Sequence, residues 1–215
     1  MKITINKQSS IRINNIFFDP YEIEEQEKVD YIFITHGHYD HFDIESIKKI
    51  INETTKIIIP EDKDIYENLS NICKNIIMVK ANNKYKIDNL IFSTTYSYNV
   101  NKPFHKKNDS FLGYKINIEG SLCYIMGDTD ITEENKKEKC DILFIPIGGT
   151  YTMDYSEAAI LTNIIKPKLV IPIHYGSIVG DISLGEKFKS IIVNDIECDI
   201  KIKWFIELML IMWYY

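Results

Sequence analysis

The chain has few cysteines, and no two of them are close together in the sequence. This excludes a zinc knuckle and a small disulfide-stabilised fold. Among its 215 residues there are four cysteines, Cys73, Cys123, Cys140 and Cys198. None forms a Cys-x-x-Cys motif, the spacing typical of a zinc knuckle or a thiol redox motif, and the set is too sparse for a disulfide framework. We therefore expect a reducing, cytoplasmic setting.

Neither a targeting segment nor an apolar run long enough to cross a membrane is predicted from the sequence. Residues 1–6 alternate between apolar and polar side chains, so no signal peptide is predicted. Residues 204–215 are strongly apolar, but a bilayer span needs about 20 such residues. We predict that this tail forms a final strand or helix packed on the core. A dimer surface, and hence a homo-oligomer, and a membrane-skimming tail are the alternatives.

Positive charge is not in excess, which disfavours nucleic acid as a partner. The chain has 25 lysines and arginines against 31 aspartates and glutamates, and a net charge of −6. With 45% hydrophobic residues the composition is that of a globular protein. No linker, low-complexity segment or short repeat interrupts it. We therefore predict a single domain over residues 1–215.

Strand and helix patterns alternate along the chain. We predict strands over residues 11–18 and 29–34, a buried strand over 141–147, a helix over 184–193, and a hairpin that turns at Glu119-Gly120. Continuous apolar strands are typical of sheets that helices cover. The pattern indicates an α/β protein with helices packed on sheets.

Three of the five histidines and one aspartate share a single short segment, His36, His38, Asp40 and His41. The segment lies between a predicted strand and a predicted helix over residues 43–51, for which Asp43 is the expected N-cap. Neutral imidazole and carboxylate suit zinc and related divalent metals. A rigid strand-loop-helix scaffold that carries these side chains predicts a metal site. A surface accident would lack the flanking elements.

Three further candidate ligands lie at strand ends or in a polar loop. Asp128 follows a strand that stops at a glycine, His174 follows an apolar strand, and His105 lies in the loop 101–107. Asp128 could instead be a turn aspartate, His174 a hydrogen-bonded core histidine, and His105 a solvated loop residue. Asp19 and Asp130 are either partners of ligand histidines or caps and turns.

These motifs together resemble those of a known family. The string His36-x-His38-x-Asp40-His41, followed by Asp128 and His174, resembles the metallo-β-lactamase fold superfamily of metal-dependent hydrolases. Four finer motifs are similar to a subgroup that includes ascorbate-phosphate lactonase-like proteins: Phe104-His105, Gly127-Asp128-Thr129-Asp130, Pro146-x-Gly148-Gly149-x-Tyr151-Thr152-Met153 and Ile171-Pro172-x-His174-Tyr175-Gly176. The resemblance extends from about residue 16 to about residue 188 and does not cover the apolar tail.

The resemblance implies a fold and a set of ligand roles. The fold would be an α/β (α+β) sandwich of four layers, αβ/βα, with two sheets face to face and helices outside. Two divalent ions are implied, zinc in the first place, with manganese or iron accepting the same ligands. The first ion would be held by His36, His38 and His105, the second by Asp40, His41 and His174, and Asp128 would bridge them. Asp40 would also be catalytic, orienting hydroxide or accepting a proton.

The expected activity follows from this site. We predict a hydrolase that uses metal-bound hydroxide at a dinuclear site to cleave an ester, lactone, amide or phosphodiester of a small molecule. The alternatives are an iron-dependent redox enzyme on the same fold, similar to a sulfur dioxygenase, and a non-catalytic, metal-stabilised binding module. The lysines of the His105 loop, Lys102, Lys106 and Lys107, either attract an anionic substrate or are solvated.

Overall fold

The structure, a computed structural model, describes residues 1–24 and 26–201. The strands are β1 (Ile3–Ile5), β2 (Ile11–Ile13), β3 (Ile16–Phe18), β4 (Tyr31–Phe33), β5 (Lys56–Pro60), β6 (Ile76–Val79), β7 (Lys84–Ile87), β8 (Leu90–Tyr96), β9 (Leu112–Ile118), β10 (Ser121–Ile125), β11 (Ile142–Pro146), β12 (Leu169–Ile173) and β13 (Glu197–Cys198). The α-helices are α1 (Ile44–Ile50), α2 (Lys63–Ser70), α3 (Tyr155–Ile165) and α4 (Leu184–Lys189). Short 3₁₀ turns occupy Lys107–Asp109 and Asn135–Lys137.

The strands form two sheets with simple neighbour order. The first has the order β1-β2-β3-β4-β5-β6, antiparallel as far as β3 and parallel from there to β6. The second has the order β13-β12-β11-β10-β9-β8-β7, antiparallel from β7 to β10 and parallel from β10 to β13. The parallel halves of both sheets place several strand carboxyl ends where ligand loops can meet.

Three apolar clusters separate four layers. One cluster joins residues of both sheets, among them Ile13, Phe33, Tyr114 and Ile171. A second packs α3 and α4 on the second sheet, and a third packs α1 and α2 on the first sheet. Two sheets face to face with helices outside is the αβ/βα sandwich expected from the sequence, and this prediction is confirmed.

Helix starts agreed with the sequence better than element lengths did. Asp43 caps α1 as expected, since its side chain accepts a hydrogen bond from the backbone N–H of Glu45. The single strand expected over residues 11–18 is wrong, because the chain turns at Asn14, whose φ is +51°, and pairs Ile11 with Phe18. Asparagine tolerates this left-handed conformation better than most residues.

One predicted helix is also shorter than expected, and one predicted segment lies outside the described residues. The helix predicted over 184–193 ends at Lys189. The prediction for the tail at 204–215 falls outside the described residues. Within 1–24 and 26–201, no helix is both long and apolar enough to cross a bilayer. The single domain over 1–215 and the cytoplasmic setting stay predictions.

A cluster of four aromatic rings packs across the interface between the two sheets. The Phe33 ring of β4 lies 5.1 Å from the Phe18 ring, 5.0 Å from Phe92 and 5.0 Å from Tyr114, centroid to centroid. Phe18 and Phe33 belong to the first sheet, Phe92 and Tyr114 to the second. The Tyr114 hydroxyl donates to the Ile34 carbonyl at 2.7 Å, across the interface and next to the histidine segment.

Truncation of Phe33 should therefore destabilise the whole sandwich. We expect Phe33→Ala to lower the free energy of unfolding by about 3–5 kcal/mol, because it removes a fully buried ring and leaves a cavity. Ile91→Ala on neighbouring β8, where the side chain is 59% exposed, should change it by less than about 0.5 kcal/mol. Urea unfolding followed by circular dichroism measures both. Equal losses would mean that Phe33 does not pack as described.

Candidate metal centre

The seven predicted ligands meet at one edge of the sandwich. Residues 36–41 follow β4, Asp128 follows β10, His174 follows β12, and His105 lies in the loop between β8 and β9. Six of the seven are buried and His38 is exposed. Strand ends from both sheets therefore supply the side chains, as the sequence predicted.

One group of three ring nitrogens faces a common point. His36 Nε2 lies 3.0 Å from His38 Nδ1, and His105 Nε2 lies 3.3 Å from the same His38 atom. The potential ligand atoms of these three residues all lie within 4.8 Å of one another. Three imidazoles in this arrangement match a zinc-type donor set.

A second group joins one carboxylate and two imidazoles. Asp40 Oδ2 lies 3.5 Å from His174 Nε2 and 3.7 Å from His41 Nε2. The three residues form another cluster with ligand atoms within 4.8 Å of one another. The two groups of three are those implied by the family resemblance.

Asp128 lies between the two groups. Its Oδ2 is 3.2 Å from His174 Nε2, 3.7 Å from His105 Nε2 and 4.0 Å from His36 Nε2, while Oδ1 is 3.3 Å from His41 Nε2. The carboxylate thus contacts histidines of both groups. This geometry suits a bridging ligand.

Several buried polar atoms at this point make no hydrogen bond within the described part of the chain. They are His41 Nε2, Asp128 Oδ1 and both ring nitrogens of His174. A buried polar atom without a partner costs about 1–3 kcal/mol, so a cluster of them requires an explanation. For His41 Nε2, Asp128 Oδ1 and His174 Nε2, lone pairs directed at a cation supply one, so this donor set fits divalent metal ions. His174 Nδ1 lies on another side of its ring and is not explained in this way.

The electrostatics of the second group reflect the close approach of opposite charges. Burial alone would raise the pKa of Asp128, but the His174 and His41 rings hold it well below its usual range. For Asp40 too, burial opposes ionisation, yet the same two rings lower its pKa to about 2. Burial alone would lower the pKa of His174, but Asp128 and Asp40 raise it to about 9. Both carboxylates are thus held in the anionic, ligating form.

In the group of His36, His38 and His105, the shifted pKa values are lowered rather than raised. Burial and the neighbouring rings lower the pKa of His36 well below its usual value, and burial lowers that of His105. Both imidazoles are therefore neutral at physiological pH, which is the form that binds metals.

Asp19 supports the histidine segment from behind. This fully buried residue accepts a hydrogen bond from His41 Nδ1 at 2.7 Å, and others from the Thr35 backbone N–H at 2.7 Å and the Thr35 hydroxyl at 2.6 Å. The bond fixes the His41 ring with Nε2 towards the other ligands. Of the two roles expected for Asp19, contact with a ligand histidine is the one the structure shows.

Asp130 contacts no ligand histidine. It accepts from the Val100 backbone N–H at 3.0 Å and pairs with Lys102, whose Nζ also donates to the Thr152 carbonyl at 2.7 Å. Lys107 Nζ is 2.5 Å from Glu134 Oε1. Two of the three loop lysines are thus engaged in structural ion pairs rather than directed at the site.

Gln8 is a site residue that the sequence analysis missed. Its side-chain amide donates to Asp40 Oδ2 at 3.3 Å, its Oε1 accepts from the Ile178 backbone N–H at 3.3 Å, and its carbonyl accepts from the His174 N–H at 3.0 Å. No local pattern could have revealed it, because the turn between β1 and β2 reaches these partners only through the folded sandwich.

A cavity of about 260 Å³ opens onto the ligands. Its lining consists of His38, Tyr39, Asp40, Phe104, His105, Asp128, Tyr151, His174 and Ile178. None of the three loop lysines lines it. The hypothesis that these lysines attract an anionic substrate therefore has no support from the cavity.

Comparison with known proteins defines the class to which the chain belongs. A family model described as the beta-lactamase superfamily domain matches residues 4–174. Because this covers most of the chain, the protein is a member of the β-lactamase superfamily.

Two relatives identify the family within this superfamily. A UPF0173 metal-dependent hydrolase from Staphylococcus aureus (strain MRSA252) is 32% identical over 200 residues, covering 81% of this chain and 86% of the relative. Another from Nanoarchaeum equitans is 33% identical over 173 residues, covering 76% and 77%. The chain therefore belongs to the UPF0173 metal-dependent hydrolase family within that superfamily.

Solved structures agree with the fold. A crystal structure of a Parabacteroides distasonis protein has 29% sequence identity and a TM-score of 0.78, covering 93% of this chain and 91% of that one. The metallo hydrolase Igni18 from Ignicoccus hospitalis has 23% identity and a TM-score of 0.70, covering 92% and 93%. The sandwich fold expected from the motifs is confirmed.

The glycine before Asp128 should be essential for the position of that carboxylate. Gly127 has φ +65°, and an added Cβ would lie 2.8 Å from the Leu112 carbonyl oxygen and 3.0 Å from Ser97 Oγ. Gly120 has φ +83° with nothing within 4 Å of an added Cβ. Gly120→Ala should cost about 1–2 kcal/mol from backbone strain alone. Gly127→Ala should cost clearly more, because a backbone clash adds to the strain.

Urea unfolding of the two variants and the wild-type chain measures the difference. The Gly120 variant is a matched control, since both substitutions place alanine at positive φ. A Gly127→Ala chain as stable as Gly120→Ala would contradict the close packing of the β10 end against β9 and the segment before His36.

Proposed function

We propose that the protein is a hydrolase that holds two divalent metal ions, with Asp128 as the ligand shared between them. The observation that carries the proposal is the position of this carboxylate, within 4.0 Å of ring nitrogens from both groups of three. His36, His38 and His105 would hold one ion, and Asp40, His41 and His174 the other. When bound, such ions lower the pKa of a coordinated water to about 7 and polarise the bond to be cleaved.

Asp40 is the residue we propose to act on the attacking water. It is mostly buried, its pKa of about 2 keeps it anionic at neutral pH, and its Oδ2 accepts a hydrogen bond from Gln8. A carboxylate fixed in this way can accept a hydrogen bond from water and orient an oxygen lone pair towards the substrate. Gln8 positions Asp40 and does not itself contact the reacting atoms.

The bond cleaved is proposed to be an ester, lactone, amide or phosphodiester, since all four react with an oriented water at a polarised centre. Zinc is the proposed metal, and manganese and iron accept the same ligands. The resemblance to ascorbate-phosphate lactonase-like proteins stays a prediction, because one fold supports many substrates.

Removal of Asp128 should remove metal. We expect the protein, purified without chelator, to contain close to two divalent ions per chain, and Asp128→Ala to contain well under one, because both ions lose the shared ligand. Inductively coupled plasma mass spectrometry measures the content. Asp88→Ala is a control on an exposed carboxylate that is distant in the fold.

Metal content equal in Asp128→Ala and the wild-type chain would contradict the shared-ligand proposal. Two irons rather than zinc or manganese would favour the redox alternative. Absence of metal from every preparation, including one supplemented with zinc, would reject the metal-dependent function.

Loss of the carboxylate behind His41 should weaken metal binding without removing a ligand. We expect Asp19→Ala to lower zinc affinity about 10–100-fold, the usual effect of removing a partner that orients a ligand histidine. Asp130→Ala is the matched control, because it also removes a buried carboxylate but one that contacts no ligand histidine.

Competition with a fluorescent zinc chelator measures these affinities. We expect a much larger loss of zinc affinity for Asp19→Ala than for Asp130→Ala. Equal losses in the two variants would show that general loosening of the edge, and not the bond to His41, explains the effect.

A further inference from the structure

The cavity at the metal centre is walled by apolar side chains that remain exposed. Tyr39 is 64% exposed, Phe104 43%, Ile178 38% and Tyr151 36%. All four line the same cavity. Large exposed apolar side chains that gather around one concave site mark a surface for binding, whereas scattered ones do not.

Each wall residue is fixed to the ligand framework. Tyr39 lies in the chain between two ligands, and Phe104 immediately precedes His105. The carbonyl of Tyr151 accepts a hydrogen bond from His105 Nδ1 at 3.0 Å, and the backbone N–H of Ile178 donates to Gln8. The wall is therefore held at a set distance from the ligands and can place a bound group relative to them.

Each aromatic ring of the wall packs against another ring, either within the wall or, for Tyr39, against Tyr21 beside it. The Phe104 and Tyr151 rings meet edge to face at a centroid distance of 5.0 Å, and Tyr39 meets Tyr21 edge to face at 6.0 Å. Such pairs favour defined ring positions over free rotation. The two ring pairs give the apolar wall a defined shape.

The four wall side chains are uncharged, and the acidic side chains of the cavity lining are those of Asp40 and Asp128. The lining includes no lysine or arginine, and Lys102 and Lys107 of the adjacent loop are paired with acidic side chains. A carboxylate or phosphate on the part of a substrate that contacts this wall would lose its hydration without gaining a partner there, which is costly. A neutral apolar group would instead gain from burial against the rings.

We propose that the wall binds a neutral, apolar group next to the bond to be cleaved, of the size of an aryl or branched alkyl group. A cavity of about 150 Å³ already admits benzene, so the cavity of about 260 Å³ accommodates such a group and the reacting bond. The substrate class is then a neutral ester, lactone or amide with an apolar group next to the cleaved bond. This inference rests on the proposed function of the same centre for the identity of the cleaved bond, but not for the apolar contact.

Binding of inert amides tests the wall independently of catalysis. Phenylacetamide, acetamide and the succinamate anion share one amide and differ in the attached group. With the zinc-supplemented chain of 215 residues, ligand-observed nuclear magnetic resonance should show phenylacetamide binding at least tenfold more tightly than the other two. Phe104→Ala and Tyr39→Ala should each reduce this preference at least threefold. Tyr66→Ala, an exposed tyrosine on α2 that does not line the cavity, should keep it.

A parallel series of 4-nitrophenyl esters reports on hydrolysis. The ratio of kcat/KM for the phenylacetate ester to that for the acetate ester should exceed ten, and it should fall in Phe104→Ala. The hemisuccinate ester should be a poorer substrate than the phenylacetate ester.

The two series separate the two proposals. A preference for phenylacetamide without hydrolysis of any ester would support the apolar site and count against the hydrolase. Ester hydrolysis with equal binding of the three amides, or with tightest binding of succinamate, would overturn the apolar site and leave the hydrolase standing. A preference that survives in both wall variants would also overturn the assignment of the wall.

Discussion

The Asp128 carboxylate is almost completely buried, yet the neighbouring histidines hold its pKa low and keep it negatively charged, and this constraint organises the site around it. Only 2% of the residue is exposed, and an ionised carboxylate can be buried only with opposite charge or strong donors beside it. Four histidine rings approach it within 4.0 Å, and they come from three separate segments of the chain. The two cations that we propose, one on each side of Asp128, would satisfy the carboxylate and the unpaired ring nitrogens together.

The fold serves that constraint by bringing strand ends of two sheets to one edge. The aromatic cluster around Phe33 joins β4 to the second sheet, so the histidine segment that follows β4 faces the end of β10. Backbone conformation is unusual here. Asp19, His105 and His174 have φ values of +44°, +53° and +57°. Non-glycine residues at positive φ persist only where the surroundings hold them, and they concentrate at functional sites.

Local sequence patterns predicted those ligands that directly follow a strand or precede a capped helix. The histidine segment lies between a strand and a capped helix, and Asp128 and His174 each follow an apolar strand, so their convergence follows from the rule that parallel strand ends meet. The alternation of strands and helices indicated only an α/β protein, and the four-layer sandwich was implied by the family resemblance. All seven candidate ligands lie together in the structure, while the metal that they hold stays a proposal.

What the sequence did not predict depends on contacts between distant segments. Gln8 reaches Asp40 and the segment after His174 only in the folded sandwich. The apolar wall combines Tyr39, Phe104, Tyr151 and Ile178 from four loops, and no periodic pattern connects them. The sequence also suggested that the loop lysines attract anions, because the ion pairs of Lys102 and Lys107 form only in the folded chain.

Anomalous X-ray diffraction from crystals grown with zinc tests the central claim most directly. Data collected on both sides of the zinc absorption edge would locate each zinc ion directly from its anomalous signal. We predict two peaks about 3.5–4 Å apart, the usual spacing of a two-metal site, with the Asp128 carboxylate between them. A single peak, or two peaks that Asp128 does not join, would contradict the shared-ligand centre.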